Sequence, residues 1–364
     1  MPSPKHSSAK RKNGPPVAGR KKNLFLANLE GLPRAPRFSS HEWADYLELL
    51  CLVNVDGQLS KADALDRIRP RVDDLREGGE GVSNQNGQGP PQTSGDQSTT
   101  GGPDTSPGQA TDAWSTQAHE LYKHLAFRSR VFGNFYPFVV NAKQDELSTK
   151  VATDLEQKFY ISLLLSANLT YIGPKHHQLT SSFEVLSLEV LKRFLPNGAE
   201  AHIFGTSPLL PKRYKGTLWK KINQLADDLK ERVIAMETDF PPTDVGDGGL
   251  DLVGWVPCGD GLNSMLSVFG QSACTDEWKR KQATSTPEAW RRKLTFAACP
   301  YNMVFIPFCL RNADGSWHVG STIQSIMIDR LRFTYFLRDK MDMFQKLPSH
   351  EMVDEILKLK EDIV

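Results

Sequence analysis

The chain has 364 residues, 39% hydrophobic and 24% charged, with a formal net charge of +1. That length suits two or three domains, and the composition suits a folded chain carrying some coil-forming sequence. Whole-chain charge gives no reason to expect a nucleic-acid partner, so any such site must come from local clustering. Five cysteines, Cys51, Cys258, Cys274, Cys299 and Cys309, are too scattered for a disulfide framework and form no CxxC pair suited to structural zinc. They fit a reducing, cytoplasmic setting. There is no signal-peptide core and no 18-residue apolar run, so no membrane span or membrane partner is expected.

Residues 1–38 read as a basic disordered tail. Within them Lys5, Lys10, Arg11, Lys12, Arg20, Lys21 and Lys22 stand without an acid before residue 25, and such a stretch cannot bury a core. It could touch phosphate backbones, although a solvated tail is the simpler reading. Residues 39–76 predict a small helical unit. "SSHEWADYLELLCLVNV" sets Trp43, Tyr46, Leu47, Leu50 and Val53 at helical spacing, and "DGQLSKADALDRI" adds a turn, an N-cap at Ser60 and a short helix through Ile68. Residues 77–113 predict a disordered linker, rich in Gly, Ser, Gln, Pro and Thr, with Val82 its one large aliphatic residue.

Residues 114–200 predict a mostly helical region, with apolar residues three and four apart in "AWSTQAHELYKHLAFRSRVF", "STKVATDLEQKFYISLLLSANL" and "TSSFEVLSLEVLKRFLP". The adjacent His176 and His177 read as a surface pair and not as metal ligands. Residues 201–345 change character. "KGTLWKKINQLADDLKERV" is a helix with Leu218, Ile222, Leu225 and Leu229 on one face, and "RVIAMETDF" reads as a strand. "GLDLVGWV" and "SMLSVFGQSA" form a hairpin. "TDEWKRKQATSTPEAWRRKL" gives two basic helical turns, "YNMVFIPFCL" a strand, and "STIQSIMIDRLRFTYFLRDKM" a helix. Residues 346–364 predict a C-terminal helix.

The run Gly246-Asp247-Gly248-Gly249-Leu250-Asp251-Leu252-Val253, followed after "MLSVFG" by Gln271, resembles the PD-(D/E)XK nuclease-like superfamily. Its Mrr-type branch pairs a GDGGxD run with a strand ending in QxK. The resemblance covers about Thr217 to Leu310. It implies a restriction-endonuclease-like α-β-β-β-α-β core within a chain of α+β or α/β class. It also implies a magnesium- or manganese-dependent DNA endonuclease, with a role in bacterial defence against phage and other defence proteins as partners. A divalent cation can activate water and stabilise pentavalent charge, and magnesium wants hard oxygen ligands. Asp251 is then the carboxylate, Gln271 supplies an amide oxygen, and Asp247 orients the turn or joins a second metal.

Two positions depart from the pattern. Ala273 stands where the lysine belongs, and Trp219 where the first acid belongs. Lys279 and Lys281 lie on the following helix, and Lys279, beside Trp278, is the first choice to replace the lysine. Asp227, Asp228 and Glu184 are the candidate replacement acids, each also readable as an ordinary helix-surface charge. Lys212, Arg213, Lys215, Lys220 and Lys221, then Lys281, Arg291 and Arg292, could meet phosphates. The departures keep an alternative open: a nuclease-like module without chemistry that binds DNA or a partner protein. A weaker alternative makes the helical half the functional part.

Overall fold

The computed structural model describes residues 39–67, 107–141, 143–150, 154–318 and 320–360. The basic tail, most of the Gly/Ser-rich linker and the end of the predicted N-terminal unit lie outside the described residues.

The first helix, α1 (Ser40–Val53), is buried on all sides, with Trp43, Tyr46, Leu47, Leu50 and Val53 each almost wholly covered. A helix covered all round belongs to a core and not to a separate small unit. Its neighbours in that core come from α3 (Pro107–Phe132), α4 (Leu155–Ala167) and α11 (Pro348–Ile356). The short strand β1 (Gln58–Ser60) pairs antiparallel with β3 (Glu146–Thr149), which also pairs with β2 (Phe138–Asn141). Ser60 does cap the next helix, α2 (61–67): its amide donates to Asp63 Oδ2 at 2.7 Å, and the Asp63 amide returns a bond to Ser60 Oγ at 3.3 Å.

The region 114–200 is mostly helical, with the β2–β3 pair interrupting it. One expectation needs correction. The linker does not run to 113, because α3 already begins at Pro107. Composition missed this start because proline is well placed in the first turn of a helix, where its missing N–H has no partner to lose.

A second, five-stranded sheet has the order β4 (Glu200–Ile203), β5 (Leu252–Trp255), β6 (Ser267–Ser272), β7 (Tyr301–Phe305) and β8 (Ile326–Ile328). The first three strands run antiparallel and the last two join in parallel, so the sheet is mixed. Every residue of β5 and β6 is buried, which explains continuous apolar runs instead of alternation. The helix α5 (His176–Phe194) covers one face, packing on Leu252, Val268, Met303 and Phe305. On the other face Val253 and Phe269 meet α6 (Leu218–Leu229) and Trp290 of α8 (Pro287–Trp290). Close packing of α5 requires glycine at 254, where a Cβ would stand 2.6 Å from Leu195 Cδ1.

The expected order helix, strand, strand, strand, helix, strand is interrupted, because α6 stands between β4 and β5. The leading helix is α5, not α6, and the first strand is β4. "RVIAMETDF" is no strand; it holds one isolated bridge, Val233 to Leu294, and a 3-10 turn at Glu237–Asp239. The segment expected as one helix over 321–341 divides into β8 and α9 (Arg330–Leu337). Among the described residues no helix is long and apolar enough to cross a membrane.

The two halves meet at a buried charge network. Arg330 of α9 donates two bonds to Asp45 of α1, at 2.9 and 3.0 Å, and Arg128 of α3 adds a third at 2.6 Å. Glu48 accepts from Tyr136 and Tyr160 at 2.9 and 2.8 Å and lies 3.0 Å from Arg128. Burial opposes the Asp45 charge, but Arg330 and Arg128 outweigh it and hold the carboxyl below its ordinary range. Burial prevails at Glu48, which is pushed above its ordinary range. Asp45→Ala leaves two buried guanidiniums sharing Glu48, so it should lower stability by about 3–5 kcal/mol in urea denaturation. Asp339→Ala, removing an exposed partner of Arg193, should leave the denaturation midpoint nearly unchanged.

Candidate functional site

The turn before β5 fixes the first acid. Gly248 and Gly249 have φ of 60° and 85°, left-handed values that glycine adopts freely. At 249 a Cβ would also stand 2.6 Å from Thr284 Cβ. Asp247 Oδ1 accepts the Gly249 amide at 2.8 Å, and two lysines grip the turn's carbonyls. Lys221 Nζ donates to Val245 and Gly246 at 2.8 and 2.9 Å, and Lys293 Nζ donates to Gly248 at 3.2 Å. Asp251 then enters the sheet, its amide donating to Gly270 and its carbonyl accepting from Phe204.

Asp251 Oδ2 accepts from Gln271 Nε2 at 2.5 Å and from the Ser272 amide at 2.7 Å. The expected pair is therefore in direct contact, from neighbouring strands. Asp251 Oδ1 and Asp247 Oδ2 flank one hollow: a Cβ built on Gly205 would lie 3.6 and 3.7 Å from them. Glu184, from α5, joins the same group. Burial pushes its carboxyl up to about 7, Asp247 adding to the rise while the Ser207 hydroxyl and Lys281 oppose it. Asp251 is also pushed up to about 7, first by burial and further by Asp247 and Glu184, against the Ser272 amide and Lys281.

The lysine at this site is Lys281, not Lys279. Lys281 Nζ lies 3.5 Å from the Ser272 carbonyl, and its charge acts on both Glu184 and Asp251. Lys279 instead stands 5.8 Å from the Trp278 ring and repels His41 and His318. The cause is local packing. Ala273 is small and buried, and it shares a cluster with Trp278, Val304 and Ile306. Trp278 thereby seats the short helix α7 (Trp278–Lys281), while Gln282 pins its end to the Thr322 carbonyl at 2.7 Å. Lys281, three residues after the anchor, is turned back over the end of β6.

Other sequence candidates fall elsewhere. Asp228 accepts from Arg213 Nε and the Tyr214 hydroxyl, each at 2.8 Å, so it serves α6 and not the acid group. Trp219 lies against Phe240, on a helix that does not lead the sheet, so it displaces no acid. Lys221 is buried beneath the turn and cannot reach a phosphate without leaving it. Lys220, Arg291 and Arg292 are exposed, Arg291 donating to Cys299 Sγ at 2.7 Å. His176 and His177 are exposed at the start of α5, contacting backbone carbonyls. Sequence reasoning preferred Lys279 to Lys281 because Lys279 follows Trp278, and it ranked Glu184 low because it took α6 for the leading helix. The short pattern "EAHI" just after α5 is the signal that corrects it.

As placed, no group of three or more His, Cys, Asp or Glu side chains among the described residues forms a closed metal cage. The donor chemistry is nevertheless that of a hard cation: Asp251 and Asp247 face one hollow that a methyl group would fill, and magnesium commonly takes one or two carboxylates and several waters. Gln271 can follow. The Thr284 hydroxyl has one hydrogen, well used on the Lys281 carbonyl at 2.7 Å, so its oxygen can accept from Gln271 after a half-turn of the amide. That half-turn would direct Oε1 beside Asp251. No protein-family model, curated protein or solved structure matches the chain.

In the folded chain Asp251 titrates near 7 against an ordinary 3.8. The folded state then holds more protons than the unfolded state between those values, and stability falls as pH rises through that window. Asp251→Asn should therefore be more stable than the parent at about pH 8, by about 1–3 kcal/mol, with the difference vanishing below about pH 4. Denaturation curves across that range measure it. Lys221→Met should cost about 1–3 kcal/mol by leaving two carbonyls without their donor, with no change in the salt dependence of any DNA binding.

Proposed function

We propose that the chain is a metal-dependent deoxyribonuclease of restriction-endonuclease-like architecture, hydrolysing phosphodiester bonds in DNA. The observation that carries this reading is the convergence of Glu184, Asp251, Gln271 and Lys281, with the lysine supplied by α7 where the strand position holds Ala273. Glu184 on α5 and Asp251 entering β5 support it further, since an acid on the leading helix and an acid entering the second strand are what the PD-(D/E)XK resemblance implies. A role in defence against foreign DNA follows from that resemblance alone.

Asp251 and Gln271, with Asp247 and Glu184 alongside, would hold a magnesium or manganese ion, which supplies a water acidified for attack and positive charge for the transition state. The chain's own contribution is placement and charge. The Ser272 amide and the sheet bonds of Asp251 fix one carboxylate oxygen. Glu184, titrating near 7, can exchange a proton with water at neutral pH. Lys281 sets an ammonium beside the group, where negative charge builds on the phosphoryl oxygens. Exposed Lys220, Arg291 and Arg292 could meet the flanking phosphates.

One observation favours the second reading, a nuclease-like module that binds without cleaving. Both donors on Asp251 Oδ2 belong to the protein, and no three-acid cage is formed among the described residues. Supercoiled plasmid with magnesium separates the two readings. Nicking by the parent should fall about a hundred-fold in Lys281→Ala and disappear in Asp251→Ala, while Lys279→Ala stays within about two-fold. Gly205→Ala, whose methyl group fits without clash but fills the hollow, should fold normally and lose at least about ten-fold in rate. DNA binding without any nicking, unaltered by Asp251→Ala, would establish the second reading.

A further inference from the structure

Away from the acid group, the C-terminal ends of α5 and α9 frame a cavity of about 590 Å³. The two helices pack through Phe183 and Phe333, whose ring centroids lie 5.0 Å apart. The inner face of α9 buries Arg330, Phe333, Thr334 and Leu337. Its outer face carries Tyr335 and Arg338, three residues apart and therefore neighbours on the helix. Tyr335 is 62% exposed, with the Arg338 guanidinium 5.2 Å from its ring. Phe336 meets Tyr335 edge-on at 5.3 Å, and Phe194 lies 6.2 Å from Phe336, so aromatic rings run along the rim.

The lining is rich in cations. Lys192, Arg193, Arg338 and Lys340 face the cavity together with the acids Glu189 and Asp339. Arg193 is committed, donating to both Asp339 oxygens at 2.6 and 3.0 Å and to the Phe336 carbonyl at 3.1 Å. Lys192 and Lys340 are held only loosely, each 3.9 Å from a Glu189 oxygen. Two lysines and Arg338 can therefore turn to an incoming anion beside an exposed ring.

We propose that this cavity binds a segment of single-stranded nucleic acid, one base stacking on Tyr335 and its flanking phosphates meeting Lys192, Lys340 and Arg338. An exposed ring beside mobile cations matches a polyanion that carries flat π faces. A duplex hides those faces inside its stack, and a carboxylate peptide offers none. The site owes nothing to Asp251, which is not among its lining residues, so it stands or falls independently of the cleavage reading.

The test is fluorescence anisotropy of a labelled short oligothymidylate with the full chain in EDTA, across a salt series. Tyr335→Ala should weaken binding by about ten-fold or more, and Tyr335→Phe should stay within about two-fold of the parent. Lys192→Gln with Lys340→Gln should reduce the slope of log affinity against log salt by about 1.4. Since Tyr335 is exposed, circular dichroism should read the same for its variants as for the parent. Parent-like binding by Tyr335→Ala overturns the proposal. So does absence of binding by the parent, or equal displacement of the oligonucleotide by a duplex or by polyglutamate.

Discussion

Two guanidiniums and two carboxylates, all but sealed from water, stand where α1, α3 and α9 meet, with Tyr160 of α4 against them. None of the four charges could be buried alone. A single ion in that position would be too costly to retain, whereas the closed set, with two tyrosine hydroxyls completing the bonds of Glu48, satisfies itself. The interaction makes one folded body of pieces that composition separates, since Asp45 lies before the Gly/Ser-rich stretch and Arg330 far beyond it. It also fixes the start of α9, and hence the strand β8 just ahead of it.

The five-stranded sheet inherits its position from that joint. With α9 anchored at Arg330, α5 packs across α9 and the sheet together, and Glu184 arrives near Asp251 at the start of β5. The acid group then depends on two local devices. One is the glycine turn gripped by Lys221 and Lys293, which delivers Asp251 at a set level. The other is Trp278, which shares a buried cluster with Ala273 and seats α7.

Much of this was legible in the residues. The α1 stripe, the Ser60 cap, the β5–β6 hairpin and the amphipathic α6 followed from spacing and turn chemistry, and the pairing of Asp251 with Gln271 from the family resemblance. What failed did so for physical reasons. β1 and β4 are very short, so a period of two has no room to declare itself. "RVIAMETDF" has strand-forming residues, yet it makes just the isolated Val233–Leu294 bridge and leaves Ile234 and Met236 exposed. Lys281 outranks Lys279 only once the rotation of a four-residue helix is known, and a tryptophan's burial sets that rotation. The place of α1 was hidden because Asp45 and Glu48 look like surface charges until Arg128 and Arg330 are brought beside them.

The seating of Lys281 on α7 bears on how the site responds to warming. A lysine on a strand is held by the backbone ladder, which opens only with the sheet. Here the ammonium is held by a four-residue helix, one buried indole and the bonds of Gln282. Short elements with few anchors open locally at lower free energy than the core strands beside them. Local opening of α7 would therefore withdraw the lysine charge that opposes the rise of the Asp251 and Glu184 carboxyls while the sheet is still intact.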